Sequence, residues 1–418
     1  MDRKGKSDSR FNFIIGLLHG MFYSGGVAFG SATTVLPVFL TNFTTSKVLI
    51  GLFSSVVGEI GSIGNILPQL FVASRIEHKI HKRPLLRFAI TIRALCWGLV
   101  ALITYLFAEN NPPIALWGIF SLLFLFTFMG GVAAVPFMDI WSRTIPVNLR
   151  GRFFGYRQLL GGFLAILSGL VVKFVLNGSG ITFPNNYALL FLLAFILITI
   201  SYLALGSVKE PFTEVHKEQL PFYDFLRKAA GILKEDANYR KFLFIQILSG
   251  AIALSLPFFV LYAKDVLKIE IGMIGIFLSA QMLGLALSNI IWGHLSDYLG
   301  SKKVIQFSIL FGFLALLFVL ILPRHFPGLF VILFVLLGVF ISGRIIGKNS
   351  FLLDTAPAKD MPRYVSLEGT FRLPVVFFPL IGGMLIQRSS YSMVFAITGL
   401  FLLAAFILSF GLKEPRRL

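Results

Sequence analysis

Long apolar segments separated by short polar breaks run through almost the whole chain. Segments of about 20 or more mostly apolar residues can cross a bilayer as helices, because a helix satisfies its own backbone hydrogen bonds in lipid. The pattern predicts an all-α integral membrane protein with twelve transmembrane helices. The predicted spans are 12–41, 48–74, 85–108, 113–138, 151–177, 187–206, 240–263, 271–293, 304–322, 327–353, 364–387 and 391–412.

Short repeats indicate that the second half of the chain duplicates the first. They fall in corresponding spans and pair IGLFSS (50–55) with IGIFLS (274–279), and VKEP (208–211) with LKEP (412–415). We therefore expect two pseudo-symmetric six-helix bundles joined by a polar connection. The predicted parts are an N-terminal bundle (1–206), a cytoplasmic linker with an amphipathic helix (207–239) and a C-terminal bundle (240–418).

The composition fits a bilayer environment, since 56% of the residues are hydrophobic and only 13% are charged. The net charge of +18 does not indicate nucleic-acid binding, because the basic residues collect in the loops between apolar spans. Most of the 37 Lys and Arg fall on the side of the two termini, which predicts a cell-membrane protein with both termini in the cytoplasm. The opposite side holds Lys47, Lys264, Lys268, Arg324 and Arg388.

The sequence lacks the motifs of several enzyme classes. Cys96 is the only cysteine, which excludes an intramolecular disulfide and a four-thiolate metal site. The chain has no phosphate-binding lysine loop, no nucleophile elbow, no dinucleotide fingerprint and no His/Cys/Asp metal set. We therefore expect neither enzymatic activity nor a cofactor.

One polar break carries a recognisable motif. GHLSDYLGSKK lies between spans eight and nine and resembles the G-x-L-x-D-x-x-G-[RK]-[RK] loop signature of the major facilitator superfamily. The matching residues are Gly293, Leu295, Asp297, Gly300, Lys302 and Lys303. The twelve spans, the repeat and the basic central loop agree with that family, so the resemblance covers nearly the whole chain. The first half departs from the signature, with Gln69 at its first glycine and Ala73 at its aspartate.

The resemblance implies a fold and a gating mechanism. Two bundles would face a central cavity lined by spans one, four, seven and ten. Asp297 would contact the start of span five, which carries Arg150 and Arg152, and this contact would act as a cytoplasmic latch. The alternative is that the loop serves only as a positive-inside anchor of topology.

Charged residues inside the spans are candidates for function, because an ionised group in lipid is costly unless it is paired or hydrated. Arg157 in span five and Arg372 in span eleven occupy corresponding positions near the cytoplasmic ends. Asp139, Asp354 and Glu368 lie at similar depth, so we expect cytoplasmic ion pairs with a structural or gating role.

Glu59 is the only carboxylate far from any predicted helix end. It shares one face of span two with polar side chains, which should face protein or water. A desolvated carboxyl group there could carry protons for coupled transport, and the alternative is permanent ionisation against an arginine.

Two cations, Arg344 and Lys348, share one face of span ten and would attract an anionic substrate group. The alternative is that they pair with Glu59, Glu368 or Asp354. Arg93 in span three is expected to be structural rather than substrate-binding. His19 and Tyr23 share a face of span one, where His19 is either a proton relay or a hydrogen-bonded core residue.

These features together predict a secondary active transporter that moves a small solute by alternating access. The favoured substrate is a small organic anion, and its transport is expected to be coupled to protons. Efflux of amphipathic drugs or lipids and transport of neutral sugars are the alternatives. A non-transporting sensor or assembly factor on the same fold is an alternative of another class. The expected partners are the small-molecule substrate and the lipid bilayer, without nucleic acid.

Overall fold

The computed structural model describes residues 3–58, 62–66, 68, 82–145, 149–210, 231–321, 327–357 and 361–415. This part of the chain is helical and contains no β-strand. The predicted proton carrier Glu59, the departing signature positions Gln69 and Ala73, and most of the 207–239 linker lie outside the described residues. The side chain of Arg150 also lies outside them.

The described residues form sixteen α-helices. They are α1 (Arg3–Ala28), α2 (Val35–Leu40), α3 (Lys47–Val57), α4 (Arg83–Phe107), α5 (Pro112–Thr144), α6 (Arg150–Lys173), α7 (Asn185–Gly206), α8 (Ala237–Gly250), α9 (Leu256–Asp265), α10 (Met273–Leu299), α11 (Ser301–Ile321), α12 (Val331–Thr355), α13 (Met361–Phe371), α14 (Leu373–Val376), α15 (Phe378–Arg388) and α16 (Tyr391–Ser409). A short π-helical segment, Phe174–Gly178, extends α6, and the 3-10 turn Ala251–Leu254 links α8 to α9.

Ten helical segments of the described chain are long and apolar enough to cross a membrane. The shorter apolar helix α3 occupies the start of the predicted second span. The predicted eleventh span is divided into α13, α14 and α15, because Pro374 and Pro379 each sit in the first turn of a new helix. Proline has no N–H for a helix interior but fits a first turn. The predicted all-α membrane architecture is confirmed.

The chain divides into two compact units. Unit 1 comprises Met1–Thr44, Ser62–Glu218 and Glu270–Ser279, and unit 2 comprises Thr45–Gly61, Gln219–Ile269 and Ala280–Leu418. Each unit thus contains a short segment that the sequence repeat assigns to the other half of the chain.

Glycines explain why these two segments pack with the unit of the other half, because a glycine allows two helix backbones to approach closely. In unit 2, a Cβ at Gly51 of α3 would overlap the carbonyl of Pro379 on α15. In unit 1, a Cβ at Gly275 of α10 would overlap the backbone of Gly169 and Lys173 on α6. Small residues at helix interfaces permit this close packing in membrane proteins.

The repeated KEP sequences form the same structure in both units. In unit 1, Asn12 donates to the Lys209 carbonyl and accepts from the Lys209 N–H, both at 2.9 Å. In unit 2, Asn238 makes the same pair of bonds with Lys413, at 3.1 and 2.8 Å. Each pair of bonds joins an asparagine of one helix to the segment that follows the end of another. We call this arrangement the KEP clasp.

The glutamate of each KEP sequence caps a neighbouring helix. Glu210 accepts hydrogen bonds from the backbone N–H groups of Lys82 and Arg83, at 3.0 and 3.2 Å. Glu414 accepts from the backbone N–H of Lys302 at 2.9 Å and from the Ser301 hydroxyl at 3.3 Å. A carboxylate at a helix N-terminus satisfies unpaired N–H groups and interacts favourably with the helix dipole.

The clasp also accounts for one glycine of the signature loop. Gly300 has a φ of +88°, and a Cβ at this position would overlap the carboxylate of Glu414. Only glycine adopts such a φ at little cost while leaving room for the carboxylate.

We expect Gly300→Ala to lower the melting temperature of the purified protein, because it strains the backbone and displaces Glu414. Backbone strain of this kind costs about 1–3 kcal/mol. Thermal unfolding in detergent, followed by tryptophan fluorescence, measures the change. The matched control is Gly155→Ala, since no atom lies within 4 Å of a Cβ at Gly155. Equal melting temperatures for the two variants would contradict the role assigned to Gly300.

Candidate functional site

Arg344 is a buried cation that α12 places against α8. It is 9% exposed. Its Nε donates to Ser249 Oγ at 3.3 Å and its Nη2 donates to the Gln246 carbonyl at 2.9 Å. A Cβ at Gly250 would lie 2.9 Å from both methyl carbons of Val375 and 3.2 Å from Arg344 Nη2, so glycine allows close packing at this point. Among the described residues, no carboxylate lies within the 4.0 Å ion-pair distance of Arg344.

A single carboxylate, Glu368, is shared by two other cations of unit 2. Glu368 Oε2 lies 3.8 Å from Lys348 Nζ, and Oε1 lies 3.5 Å from Arg372 Nε. The Glu368 side chain is 6% exposed, whereas about a fifth of each cation is exposed. Both distances exceed the roughly 2.7–2.9 Å of a charge-assisted hydrogen bond, so Glu368 makes no short ion pair with either cation.

These four residues form one electrostatic group, which we call the unit-2 cation cluster. Arg344 interacts with Glu368 and Arg372, and Lys348 interacts with all three other members. The cluster contains three cations and one carboxylate, and Arg372 has a further interaction outside this group. Asp354 lies further along α12, is half-buried and interacts with another group.

The corresponding region of unit 1 pairs its charges differently. Asp139 Oδ1 lies 3.0 Å from Lys82 Nζ, and Lys82 is nearly buried. Arg157 makes no ion pair among the described residues and instead lies over the Phe137 ring, 5.3 Å from its centroid. Glu368 precedes its partner Arg372 by four residues, whereas the same position before Arg157 is Phe153. Arg157 therefore lacks, on its own helix, the acidic partner that its counterpart has.

Arg93, Tyr23 and His19 come together in unit 1. Arg93 Nη2 donates to the Tyr23 hydroxyl at 2.8 Å, and the rings of Tyr23 and His19 lie 5.7 Å apart. His19 is buried, and its Nδ1 lies 2.6 Å from Ser201 Oγ. Since Ser201 Oγ itself donates to the His19 carbonyl, it accepts from Nδ1. His19 is thus hydrogen-bonded across two helices.

The signature loop lies at the junction of α10 and α11. Asp297 is exposed and interacts with a neighbouring group. Lys302 Nζ donates to the Phe410 carbonyl at 3.0 Å, and Lys303 is exposed. Gly293 is half-buried, and nothing lies within 4 Å of a Cβ built on it. Arg152 is exposed on α6. The latch between Asp297 and the start of span five stays a prediction.

Several residues of these sites are not identifiable from sequence patterns. Gln246 and Ser249 are ordinary polar residues of an apolar span, and only the approach of α12 makes them partners of Arg344. Lys82 resembles any loop lysine until it is found beside Asp139. The repeated KEP sequences were a usable signal, because a polar motif repeated in both halves indicates the same role twice.

Comparison with solved structures shows which fold this arrangement belongs to. The nucleoside transporter NupG matches with a TM-score of 0.65 and 13% identity, covering 98% of this chain and 99% of that chain. A D-xylose-proton symporter matches with a TM-score of 0.70 and 14% identity, covering 97% and 98%. The xylose transporter XylE from E. coli, in a partially occluded inward open conformation, matches with a TM-score of 0.69 and 14% identity, covering 96% and 99%.

These matches confirm the predicted twelve-helix membrane fold. The family model described as Major Facilitator Superfamily matches residues 242–418. No curated protein sequence matches the chain. Nearly the whole chain therefore has the fold of these solved structures, and its second half matches the sequence model of that superfamily.

We expect Glu368→Gln to destabilise unit 2, because Lys348 and Arg372 then repel each other without a shared carboxylate. Breaking a buried pair costs about 3–5 kcal/mol, and partial exposure of the cations reduces this to about 1–3 kcal/mol. The melting temperature in detergent measures the effect, with Glu109→Gln at an exposed position as the control. Adding Lys348→Met should recover part of the loss, and a double variant no more stable than Glu368→Gln would contradict the proposed charge balance.

Proposed function

We propose that this protein is a secondary active transporter that moves a small organic anion across the cell membrane by alternating access. The observation that carries the proposal is Arg344, a buried guanidinium on a membrane-spanning helix whose hydrogen-bond partners among the described residues are neutral. The fold supports the transport part of the proposal, because the similar solved structures are transporters.

The charge balance around Arg344 supports an anionic substrate. A buried cation requires a counter-charge or water, since desolvation of an unpaired ion costs several kcal/mol. Glu368 is the nearby carboxylate and is already shared by Lys348 and Arg372. Its Oε1 has no hydrogen bond within the described part of the chain, so its contacts with the cations are loose. An incoming carboxylate or phosphate could therefore bind Arg344 in a bidentate manner without displacing a strong ion pair.

Proton coupling is the energy source we propose. One of the similar structures is named a D-xylose-proton symporter, so the fold can accommodate proton-coupled transport. Glu59 remains the proposed proton carrier of this chain because of its mid-membrane position in the sequence. The distribution of Lys and Arg supports a cell-membrane location with both termini in the cytoplasm.

A second candidate is transport of an uncharged, hydroxyl-rich solute. The names of the similar structures, a nucleoside transporter and a xylose transporter, favour it. Polar groups near Arg344 could serve such a solute, since Gln246 Oε1 is buried without a hydrogen-bond partner among the residues that the structure describes. A neutral substrate has no anionic group for the cations to bind. Under this second candidate, Arg344, Lys348 and Arg372 would have a structural role.

A thermal-shift screen of the purified protein against organic anions, sugar phosphates, neutral sugars and nucleosides separates the two candidates. A ligand that binds only the folded state raises the melting temperature. We expect an anion to stabilise the protein and Arg344→Gln to weaken that binding about tenfold or more, because a hydrogen bond to a charged group contributes about 1.5–3 kcal/mol. Arg388→Gln is the matched control, since Arg388 is exposed at the end of α15.

Uptake into proteoliposomes then tests transport itself. The anion identified in the screen should accumulate inside when a proton gradient is imposed, and Arg344→Gln should reduce the initial rate while Arg388→Gln does not. Stabilisation by a neutral sugar or nucleoside, unchanged in Arg344→Gln, would overturn the anion assignment in favour of the second candidate.

A further inference from the structure

Two arginines of unit 1 pack against aromatic rings and have no acidic partner in the described part of the chain. Arg93 lies on α4 and Arg157 on α6, and their contacts are with hydroxyl and aromatic groups. Both charges are close enough to act on His19, and both interact with Tyr23. The two guanidinium groups therefore flank the same histidine and tyrosine of α1. We call this group the unit-1 cation cluster.

Aromatic rings cover the faces of the two guanidinium groups. Arg93 Cζ lies 4.3 Å from the centroid of the Phe126 ring and 5.6 Å from each of the Tyr23 and Tyr202 rings. Arg157 Cζ lies 5.3 Å from the centroid of the Phe137 ring. Stacking of this kind stabilises a cation without neutralising it and leaves the in-plane N–H groups available for hydrogen bonds.

Several donors of the cluster are buried without a partner. The Nε atoms of Arg93 and Arg157 and the hydroxyl of Tyr202 are inaccessible and make no hydrogen bond to any described residue. Tyr202 as a whole is only 5% exposed. The nearby acceptor Ser201 Oγ is already engaged by His19. Donors that are buried in this way need an acceptor, because each unsatisfied group costs about 1–3 kcal/mol and charged groups cost more.

The ligand that matches this cluster is an anion. It supplies acceptors to N–H and O–H donors and supplies the negative charge that two cations require. A cation would be repelled, and a neutral solute would leave both charges uncompensated. In unit 2 the carboxylate of Glu368 supplies negative charge to Arg372. In unit 1 the position corresponding to Glu368 is the buried Phe153, which supplies none.

We propose that the unit-1 cation cluster is a binding site for a monovalent anionic group, either a free halide or a carboxylate, held by Arg93, Arg157 and the Tyr202 hydroxyl. The residues of this site belong to unit 1, whereas Arg344 belongs to unit 2. The proposal stands whether or not the transported substrate is an anion.

The melting temperature of the full-length protein in detergent tests the proposal with sodium chloride and sodium acetate as probes. Each salt is titrated against sodium sulfate at constant ionic strength. We expect a saturable rise with at least one probe, because specific binding saturates whereas general salt effects do not. A response to chloride indicates a free ion, and a response to acetate alone indicates the carboxylate of a larger solute. Either response supports the site.

Variants locate the response. Arg93→Gln and Arg157→Gln should raise the apparent Kd of the probe about tenfold or more, since each removes a charged donor. Tyr202→Phe, which removes only the hydroxyl, should raise it by a smaller factor. Arg388→Gln should leave it unchanged. Arg344→Gln separates the two sites. A response that Arg344→Gln keeps and the two unit-1 variants weaken arises at the unit-1 cation cluster, whereas a response that only Arg344→Gln removes arises at Arg344 and counts against this proposal. Tyr202→Phe and Arg157→Gln keep the test usable if Arg93→Gln does not fold.

Three further results would overturn the proposal. The first is a linear, non-saturating response that is equal in the wild type, Arg93→Gln and Arg157→Gln. The second is no response to either probe in the wild type. The third is a response that appears only in Glu59→Gln, because Glu59 would then be the permanent counter-ion of the two arginines.

Discussion

The cost of placing ionised side chains inside membrane-spanning helices constrains this protein more than any other interaction. Such groups must find counter-charges, neutral acceptors or aromatic faces within the protein, since the hydrocarbon offers none. Unit 2 uses a carboxylate for two of its cations and the polar groups of α8 for Arg344. Unit 1 uses aromatic rings for Arg93 and Arg157. Within the described residues Arg344, Arg93 and Arg157 have no carboxylate partner, which is the physical basis of the anion sites proposed here.

The two units share a framework and differ in their interiors. The KEP clasp recurs with the same hydrogen bonds, because Asn12 and Asn238 each bind the backbone of the lysine in a KEP sequence. The framework is made of backbone groups and helix termini, which tolerate little change. The interior positions are free to diverge, as Phe153 shows by standing where the other half has a glutamate. One architecture therefore presents two different electrostatic environments.

Glycine positions connect the framework to its signature loop. Gly300 has a conformation that only glycine adopts readily, and it leaves the space that Glu414 needs to cap α11. A second glycine, Gly250, allows α8 to pack closely against the Val375 side chain and lies beside the Arg344 guanidinium.

The sequence alone determined the membrane fold and the number of spans, because the length of an apolar segment can be read without knowledge of tertiary contacts. It also identified Arg344, Lys348 and Glu368 as charged residues that could form ion pairs with one another. Only the tertiary structure decided the pairings: Glu368 lies between Lys348 and Arg372, Asp139 pairs with Lys82, and Arg157 meets no acid among the described residues. Sequence periodicity gives the face and depth of a side chain, whereas its partner depends on how neighbouring helices are packed and rotated.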